Sequence, residues 1–235
     1  MIDIHSHILP GVDDGATSLE EAIEMVMMSQ ESGVRKLVLT PHSNQSQRFK
    51  NYYPDIKEKF DAFVKIVHSL HIDIELVLGM EIFGSEDICN HIKEGKLIGL
   101  NQTNYFLIEF PFHVTSTYIT QCVKQVRKLD IVPIIAHPER YDCVINNPGC
   151  VIDWMRSECK LQVNKGSLLG SFGNRIRKVA HVLLENRCID YVASDAHGIE
   201  YRTPSLEAIK DYLEIYYGID YAEALLYNNA SLIFQ

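Results

Sequence analysis

Nine histidine, aspartate and glutamate side chains follow the ends of short apolar runs in the sequence. They are His5, His7, Asp14, His42, Glu81, Glu109, His137, Asp195 and His197. His5 and His7 lie two residues apart after the first run, so in an extended segment both side chains project to the same face. Asp195 and His197 repeat this spacing after the last run. Groups of this kind, without a thiolate, are the ligands that Mn, Fe, Zn or Mg ions take in proteins.

The elements that must position these groups alternate along the chain. Predicted strands cover residues 2–5, 36–40, 74–79, 105–110, 132–136, 161–164 and 191–194, and predicted helices cover residues 19–32, 54–70, 117–129, 174–185 and 205–217. The first helix carries Leu19, Ile23, Val26 and Met27 on one predicted face. It starts with Ser18 and Glu21 in the spacing of a capping box. Such alternation predicts an α/β fold with a parallel sheet and helices outside it.

The predicted strands are continuously apolar, which fits a sheet buried on both faces and favours a barrel. Six of the seven place a metal-capable side chain at their C-terminal ends. In a parallel barrel the carboxyl ends of the strands share one face, where catalytic residues gather. Burying so many polar groups without ligands would be costly, whereas metal ions would neutralise the carboxylates and satisfy the imidazoles. A catalytic metal keeps positions open for water and substrate. We therefore expect a closed or nearly closed barrel with a catalytic metal centre, and an open doubly wound sheet is the alternative.

Composition and charge limit the classes of function. The 235 residues suit one domain over 1–235, and the formal net charge of −9 without a basic run argues against nucleic acid as a partner. The sequence shows neither a membrane-length apolar run nor a signal peptide at its start, so we expect a cytoplasmic protein with six reduced cysteines. Cys150 and Arg156 have the spacing of cysteine-based tyrosine phosphatases, but the bulky residues between them predict a helix instead of a phosphate-binding loop.

Several local motifs resemble those of a known superfamily. His5-Ser6-His7, Thr40-Pro41-His42, His137-Pro138-Glu139-Arg140 and Ser194-Asp195-Ala196-His197 are similar to the polymerase-and-histidinol-phosphatase (PHP) superfamily. The segment from Asp3 to Gly15, together with Ile108-Glu109-Phe110-Pro111 and Gly166-Ser167-Leu168-Leu169-Gly170, resembles the bacterial manganese-dependent tyrosine-protein phosphatases of capsule and exopolysaccharide clusters. This resemblance runs from the first residues to the last helix.

The resemblance implies a single domain with a distorted (β/α)₇ barrel of PHP type and a centre of two or three divalent metal ions, with Mn²⁺ expected first. By this resemblance the first metal takes His5, His7, Glu81 and Asp195. The second takes Glu81 as a bridge, with Glu109 and His137, and the third takes Asp14, His42 and His197. A histidine often stands in the superfamily where this chain has Glu109.

Candidate substrate contacts lie next to the predicted ligands. Water activated by the metals would attack phosphorus, and Arg140 and Arg202 are candidate catalytic residues that would bind the phosphoryl oxygens. For Arg140 the alternative is an ion pair with Glu139 at the rim. Further candidate substrate contacts are Arg48, in the loop 48–53, and the aromatic side chains Phe112 and Tyr141.

The resemblance also implies a partner, which would be an autophosphorylating bacterial tyrosine kinase that controls polysaccharide synthesis. Within the enzyme class, the main alternative is a small-molecule phosphatase such as histidinol-phosphate phosphatase, and a PHP exonuclease fits the net charge poorly. A metal-binding regulatory module without catalysis is the alternative from another class. The sequence makes no prediction of the oligomeric state.

Overall fold

Parallel strands and helices alternate through residues 1–45 and 48–235, which a computed structural model of the protein describes. Nine strands are present in this part of the chain: β1 Ile2–Asp3, β2 Lys36–Leu39, β3 His42–Ser43, β4 Glu75–Leu78, β5 Glu81–Phe83, β6 Tyr105–Glu109, β7 Val132–Ala136, β8 Lys160–Asn164 and β9 Tyr191–Ala193. Because β3 continues β2 and β5 continues β4 after short breaks, the nine segments correspond to the seven predicted strands.

The strands form two parallel sheets whose edges meet. One sheet has the order β1-β2-β4 and the other β3-β5-β6-β7-β8-β9. Beyond β1 and β9, Ser6 pairs with Ala196 in parallel, the His7 N–H donates to the Ala196 carbonyl at 2.9 Å, and the Asp195 N–H donates to the His5 carbonyl at 2.9 Å. The last strand therefore returns to the first, and the strands form the predicted distorted barrel instead of an open sheet.

The breaks in the second and third strands have local causes. Pro41 carries no backbone N–H and so cannot donate to a ladder, although its carbonyl accepts from the Glu81 N–H at 3.2 Å. A Cβ on Gly79 would lie 2.7 Å from the Leu100 side chain, so a larger residue there would force its neighbours to shift. After the breaks, His42 pairs directly with Glu81 in the β3–β5 ladder. The interruption thus places two metal-capable side chains next to each other.

The helices lie along the sequence between these strands. In the described part of the chain they are α1 Leu19–Glu31, α2 Asp55–Ser69, α3 Ile88–Lys93, α4 Ser116–Arg127, α5 Asp142–Asn146, α6 Val151–Arg156, α7 Lys165–Leu169, α8 Asn174–Glu185, α9 Glu207–Tyr217, α10 Ile219–Glu223 and α11 Asn229–Ser231. The five predicted helices correspond to α1, α2, α4, α8 and α9, with ends within two residues of the predicted ones. Among the residues described, no helix has the length and apolar character needed to cross a membrane.

Helix α1 shows how closely local signals specify an element. The Ser18 hydroxyl accepts from the Glu21 N–H at 3.2 Å, as the capping spacing predicts, and such a cap is worth about 1 kcal/mol. The Glu21 carboxylate accepts instead from the Thr17 N–H at 2.8 Å, one residue before the predicted partner. The predicted apolar face was partly wrong, because Met27 is 44% exposed while Met25 is buried. The helix is therefore rotated slightly relative to the face that we expected.

Candidate metal centre

All nine predicted ligands meet at the carboxyl ends of the barrel strands. Their donor atoms fall into four overlapping groups, each within 4.8 Å: His7, Asp14, His42 and His197; His5, His7 and Glu81; His5, His137 and Asp195; and His42, Glu81 and Glu109. Within the described residues, these groups take in the nine predicted side chains and no others. Pairing and spacing in the strands therefore bring together residues that are up to 192 positions apart in the sequence.

Glu81 lies at the middle of the cluster. Its Oε1 atom is 2.8 Å from His137 Nε2 and 3.2 Å from His5 Nε2. Its Oε2 atom is 3.1 Å from His7 Nε2 and 3.0 Å from His42 Nδ1. Glu81 is fully buried, so this carboxylate has four imidazoles around it and no access to bulk water. Such an arrangement suits a carboxylate that bridges two cations.

The hydrogen bonds of His5 and His7 fix which ring nitrogen faces the cluster. His5 Nδ1 donates to Gln162 Oε1 at 2.8 Å, and His7 Nδ1 donates to Asp13 Oδ2 at 2.8 Å. In the neutral rings the two Nε2 atoms are therefore unprotonated, and they face each other at 3.2 Å. Two facing lone pairs repel unless a cation lies between them. The tautomers thus fit metal-binding histidines.

Unsatisfied polar atoms point to the same conclusion. Glu81 Oε2, Asp195 Oδ1 and His137 Nδ1 are buried without a hydrogen bond, although other polar atoms lie near them. Native proteins leave few buried polar atoms unpaired, and a metal ion would complete the two carboxylates. Because all the donors are imidazole nitrogens and carboxylate oxygens, the residues present fit divalent ions such as Mn²⁺, Fe²⁺, Zn²⁺ or Mg²⁺.

Protons compete with metal ions for this centre. Burial lowers the pKa of His5, but the Glu81 and Asp195 carboxylates beside it outweigh burial and raise that pKa to about 9. Without a cation in the cluster, a proton therefore occupies His5 at neutral pH. Metal binding must displace such protons, as it does wherever ligands have to be deprotonated.

Only the third of the three ligand sets that the resemblance implies forms one group, since Asp14, His42 and His197 lie together, with His7 also in reach. The first set is divided, because His5 and His7 group with Glu81, whereas Asp195 groups with His5 and His137. The second set differs, because Glu109 is grouped with His42 and not with His137. His42 Nδ1 lies 3.0 Å from Glu109 Oε1, while His42 Nε2 lies 3.3 Å from Asp14 Oδ1. The division of ligands between individual metals therefore stays a prediction.

Three residues that hydrogen-bond the predicted ligands were not predicted from the sequence. Asp13 accepts from His7 through Oδ2 and also from the His42 N–H, at 3.0 Å. Gln162 orients His5, and the Asn164 amide donates to Asp195 Oδ2 at 2.5 Å. The adjacent acidic pair Asp13-Asp14 was a usable signal for the first of these. The other two lie on β8, and the sequence around them contains no comparable signal.

Replacing Asp13 with asparagine is expected to weaken metal binding by about 10–100-fold. Asparagine keeps the size of the side chain but loses the charge that holds the His7 N–H and orients its Nε2 toward the cluster. Metal titration of stripped protein, followed by calorimetry, would measure the change. The matched control is Asp153→Asn, which alters an exposed carboxylate paired with Arg156. Equal affinities for wild type and Asp13→Asn would contradict this role.

The two candidate catalytic arginines both reach Asp195. Arg202 lies 2.5 Å from Asp195 Oδ2 and Arg140 lies 3.4 Å from the same atom. The Arg140 guanidinium also lies over the Phe112 ring at 4.6 Å and the Phe172 ring at 4.8 Å. These contacts hold its planar group at the edge of the centre.

The alternative interpretation of Arg140, an ion pair with Glu139, does not match the structure. Glu139 is fully buried and accepts from the Ser167 hydroxyl at 2.6 Å and from the Asn164 N–H at 3.1 Å. Arg140 instead lines a cavity of about 290 Å³ that opens onto the cluster. Its side chain is therefore available to a ligand in that cavity.

Arg48 and Phe112 also line this cavity, as predicted substrate contacts should. The Arg48 side chain is 62% exposed and its guanidinium lies 3.0 Å from Asp14 Oδ2. Phe112 is 45% exposed. Beside Arg48, the Phe49 ring stacks on His42 with 5.4 Å between ring centroids. The cavity thus combines cationic groups with aromatic surface.

The prediction that Tyr141 contacts the substrate is wrong. The side chain is fully buried, its hydroxyl donates to the Ala136 carbonyl at 2.8 Å, and it accepts from the Phe110 N–H at 3.0 Å. His137 has a left-handed backbone with φ 35°, and a 3₁₀ turn over Pro138–Arg140 follows. This turn directs Arg140 to the cavity and Tyr141 back into the core.

As predicted, the segment between Cys150 and Arg156 is a helix and not a phosphate-binding loop. Residues Val151–Arg156 form helix α6, and Arg156 pairs with Asp153 at 3.3 Å on the surface. Interaction with Cys143 and burial both raise the pKa of Cys150. A thiol held in this way is a poor nucleophile.

Comparison with known proteins places the chain in a family. The family model for capsular polysaccharide synthesis, CpsB/CapC, matches residues 1–235. A putative tyrosine-protein phosphatase CapC of Staphylococcus aureus is 35% identical over 202 residues, which are 86% of this chain and 79% of that protein. The tyrosine-protein phosphatase YwqE of Bacillus subtilis (strain 168) is 33% identical over 235 residues, covering 100% of this chain and 92% of that protein.

A solved structure gives the same relationship. It comes from work on YwqE from Bacillus subtilis and CpsB from Streptococcus pneumoniae as unique metal-dependent tyrosine phosphatases. It matches this chain with a TM-score of 0.93 and 32% sequence identity, over 100% of this chain and 94% of that chain. The barrel, the ligand cluster and these similarities agree, and the chain belongs to the CpsB/CapC family of capsular polysaccharide synthesis.

Proposed function

We propose that this chain is a metal-dependent protein-tyrosine phosphatase that hydrolyses phosphotyrosine. The observation that carries the proposal is the pair of His5 and His7 Nε2 atoms that face each other at 3.2 Å beside the buried Glu81 carboxylate, next to a cavity lined by arginines. When bound, divalent ions would polarise the phosphoryl group and activate the attacking water. Mn²⁺ is the ion that we expect first, in two or three sites per chain.

The residues around the cavity have separate tasks in this proposal. Arg140 and Arg202 donate to the phosphoryl oxygens, where negative charge develops in the transition state. Asp195 keeps both guanidinium groups directed at the centre. Phe112 offers an exposed aromatic face against which the tyrosine ring can pack. Arg48 is free to leave Asp14 for an acidic group of the substrate, since its side chain is 62% exposed.

The cavity also favours an aryl phosphate over an alkyl phosphate. Among the described residues that line it, every carboxylate and imidazole belongs to the predicted ligand set, and the other polar side chains are Gln45, Arg48, Arg140 and Arg202. None of these four is a suitable general acid near neutral pH. A tyrosine leaving group has a pKa of about 10, far below that of an alkyl alcohol, and so needs no proton as it departs.

Metal-loaded protein is therefore expected to hydrolyse a phosphotyrosine peptide with a kcat/KM at least about 100-fold above that for the matched phosphoserine peptide, in line with the usual value of general acid catalysis. Histidinol phosphate is also an alkyl ester, so it should be as poor a substrate as the phosphoserine peptide. Phosphate release measured with all three substrates, before and after metal stripping, tests this. Comparable rates on histidinol phosphate would favour the small-molecule alternative, and metal uptake without turnover of any ester would favour a regulatory module.

The biological setting is part of the same proposal. A phosphotyrosine-bearing bacterial tyrosine autokinase that controls capsular or exopolysaccharide synthesis is the substrate protein that we expect. The net charge of −9 argues against nucleic acid as a partner. We further propose that residues 1–235 act as one phosphatase domain in the cytoplasm.

A further inference from the structure

A second cavity of about 310 Å³ adjoins the catalytic one, and the Arg202 side chain lines both. The lining of this second cavity also includes Lys165, Phe172, Ser194 and Thr203. Phe172 in turn lies under the Arg140 guanidinium at 4.8 Å. The two arginines that border the metal centre thus both contact residues or space of this second cavity.

Lys165 is the unusual group in this cavity, because it is a cation that is only 8% exposed. Its ammonium donates to the Thr203 hydroxyl at 3.4 Å and to the Ser205 carbonyl. It forms no ion pair with any residue that the structure describes, and it makes no third hydrogen bond to one of them. Burial lowers the pKa of Lys165 to about 8, against the opposing effect of Asp3. An ammonium has three donors and is costly to bury without a counterion.

No charge on the cavity wall offsets this cost, and Asp3, which forms no ion pair with Lys165, offsets it only in part. Arg202 brings a second cation, although its guanidinium already contacts Asp195. Glu200 is the only carboxylate among the described lining residues, and it is exposed at the surface. A buried cation with an unused donor, next to an arginine and beside a cavity, has the chemistry that binds an anion.

We propose that this cavity binds an anionic side chain of the substrate peptide close to the phosphotyrosine, with Lys165 as its main contact. The group recognised is a carboxylate or a phosphate ester, since either would accept from the ammonium and from Arg202. The inference rests on the proposed function, and it adds a preference for acidic sequence around the phosphotyrosine.

The test uses phosphotyrosine peptides whose flanking positions carry glutamine, glutamate or phosphoserine. Wild-type protein loaded with Mn²⁺ is expected to show a kcat/KM about tenfold higher for the anionic peptides, the size of one charge-assisted hydrogen bond. Comparison of glutamate with phosphoserine distinguishes the two anions. In Lys165→Met the ratio of anionic to neutral kcat/KM should fall close to one.

If Lys165→Met does not fold, a second variant still tests the proposal. Ser171 lines the cavity and is exposed, so Ser171→Glu adds a negative charge there without disturbing the core, and it should also remove the preference. Lys178→Met, at an exposed lysine outside the cavity, is the matched control and should retain it. A wild type without preference, or a folded cavity variant that keeps it, would overturn the inference. Absence of phenyl phosphate hydrolysis by the wild type would instead reject the proposed function itself.

Discussion

Glu81→Gln is expected to lower the metal content and to reduce phosphotyrosine hydrolysis by at least about 1,000-fold. Glu81 is fully buried, with His5, His7, His42 and His137 within 3.2 Å of its two oxygens. Glutamine has nearly the same shape but is neutral and offers one acceptor oxygen, so it cannot hold two cations together. Because the proposed chemistry depends on metal-activated water, activity should fall with occupancy. Elemental analysis and phosphate release measure the two quantities on one sample.

Glu139→Gln is the matched control for this variant. Glu139 is another fully buried carboxyl group, but its partners are the Ser167 hydroxyl and the Asn164 N–H, and it belongs to none of the metal-capable groups of described residues. The amide introduced by Glu139→Gln should leave the metal stoichiometry unchanged. Full metal content and wild-type turnover in Glu81→Gln would mean that the cluster is not the catalytic centre.

Arg140→Ala is expected to reduce kcat/KM for a phosphotyrosine peptide by about 100–1,000-fold, the usual effect of removing one donor to a developing negative charge. Because Arg140 is not a ligand in the proposal, metal content should stay at the wild-type level, which separates its effect from that of Glu81. Arg140→Lys keeps the charge but loses the planar fork between the Phe112 and Phe172 rings, so recovery should be partial.

Steady-state kinetics on peptide and on phenyl phosphate would show where Arg140 acts. A loss in kcat on both substrates fits contact with the phosphoryl group, whereas a loss confined to the peptide KM would fit a contact with flanking residues. If kcat/KM in Arg140→Ala stayed within about threefold of wild type, the residue would have no catalytic role.

Much of the candidate site could be predicted because its ligands follow strands. The positions of His5, His42, Glu81 and Asp195 depend on strand periodicity and parallel order, which are local and regular properties of the chain. The five long helices were equally predictable from the sequence, since their apolar spacing extends over several turns. The short helices α5 and α7 were not predicted, because five residues give too little periodicity to recognise.

The remaining features depend on contacts between distant parts of the chain. Gln162 orients His5 across 157 residues of sequence, so no local pattern marks it. Tyr141 was expected to contact the substrate, but the left-handed backbone of His137 precedes the turn that directs Tyr141 into the core. Because residue 137 is a histidine and not a glycine, the sequence contains no local signal for that conformation. Met27 shows the limit of a helical pattern, because a small rotation of α1 changes which side chains are buried.

Closure of the barrel between β1 and β9 also determines when the centre can form during synthesis. The Ser194 N–H donates to Asp3 across 191 residues of sequence, and Asp195 and His197 follow directly after that contact. A nascent chain emerges from the ribosome N-terminus first. His5 and His7 are therefore synthesised long before Asp195 and His197. Closing so long a loop costs conformational entropy. We therefore expect that the nine predicted ligands come together only after β9 has been synthesised, and a chain that ended before β9 would lack two of them.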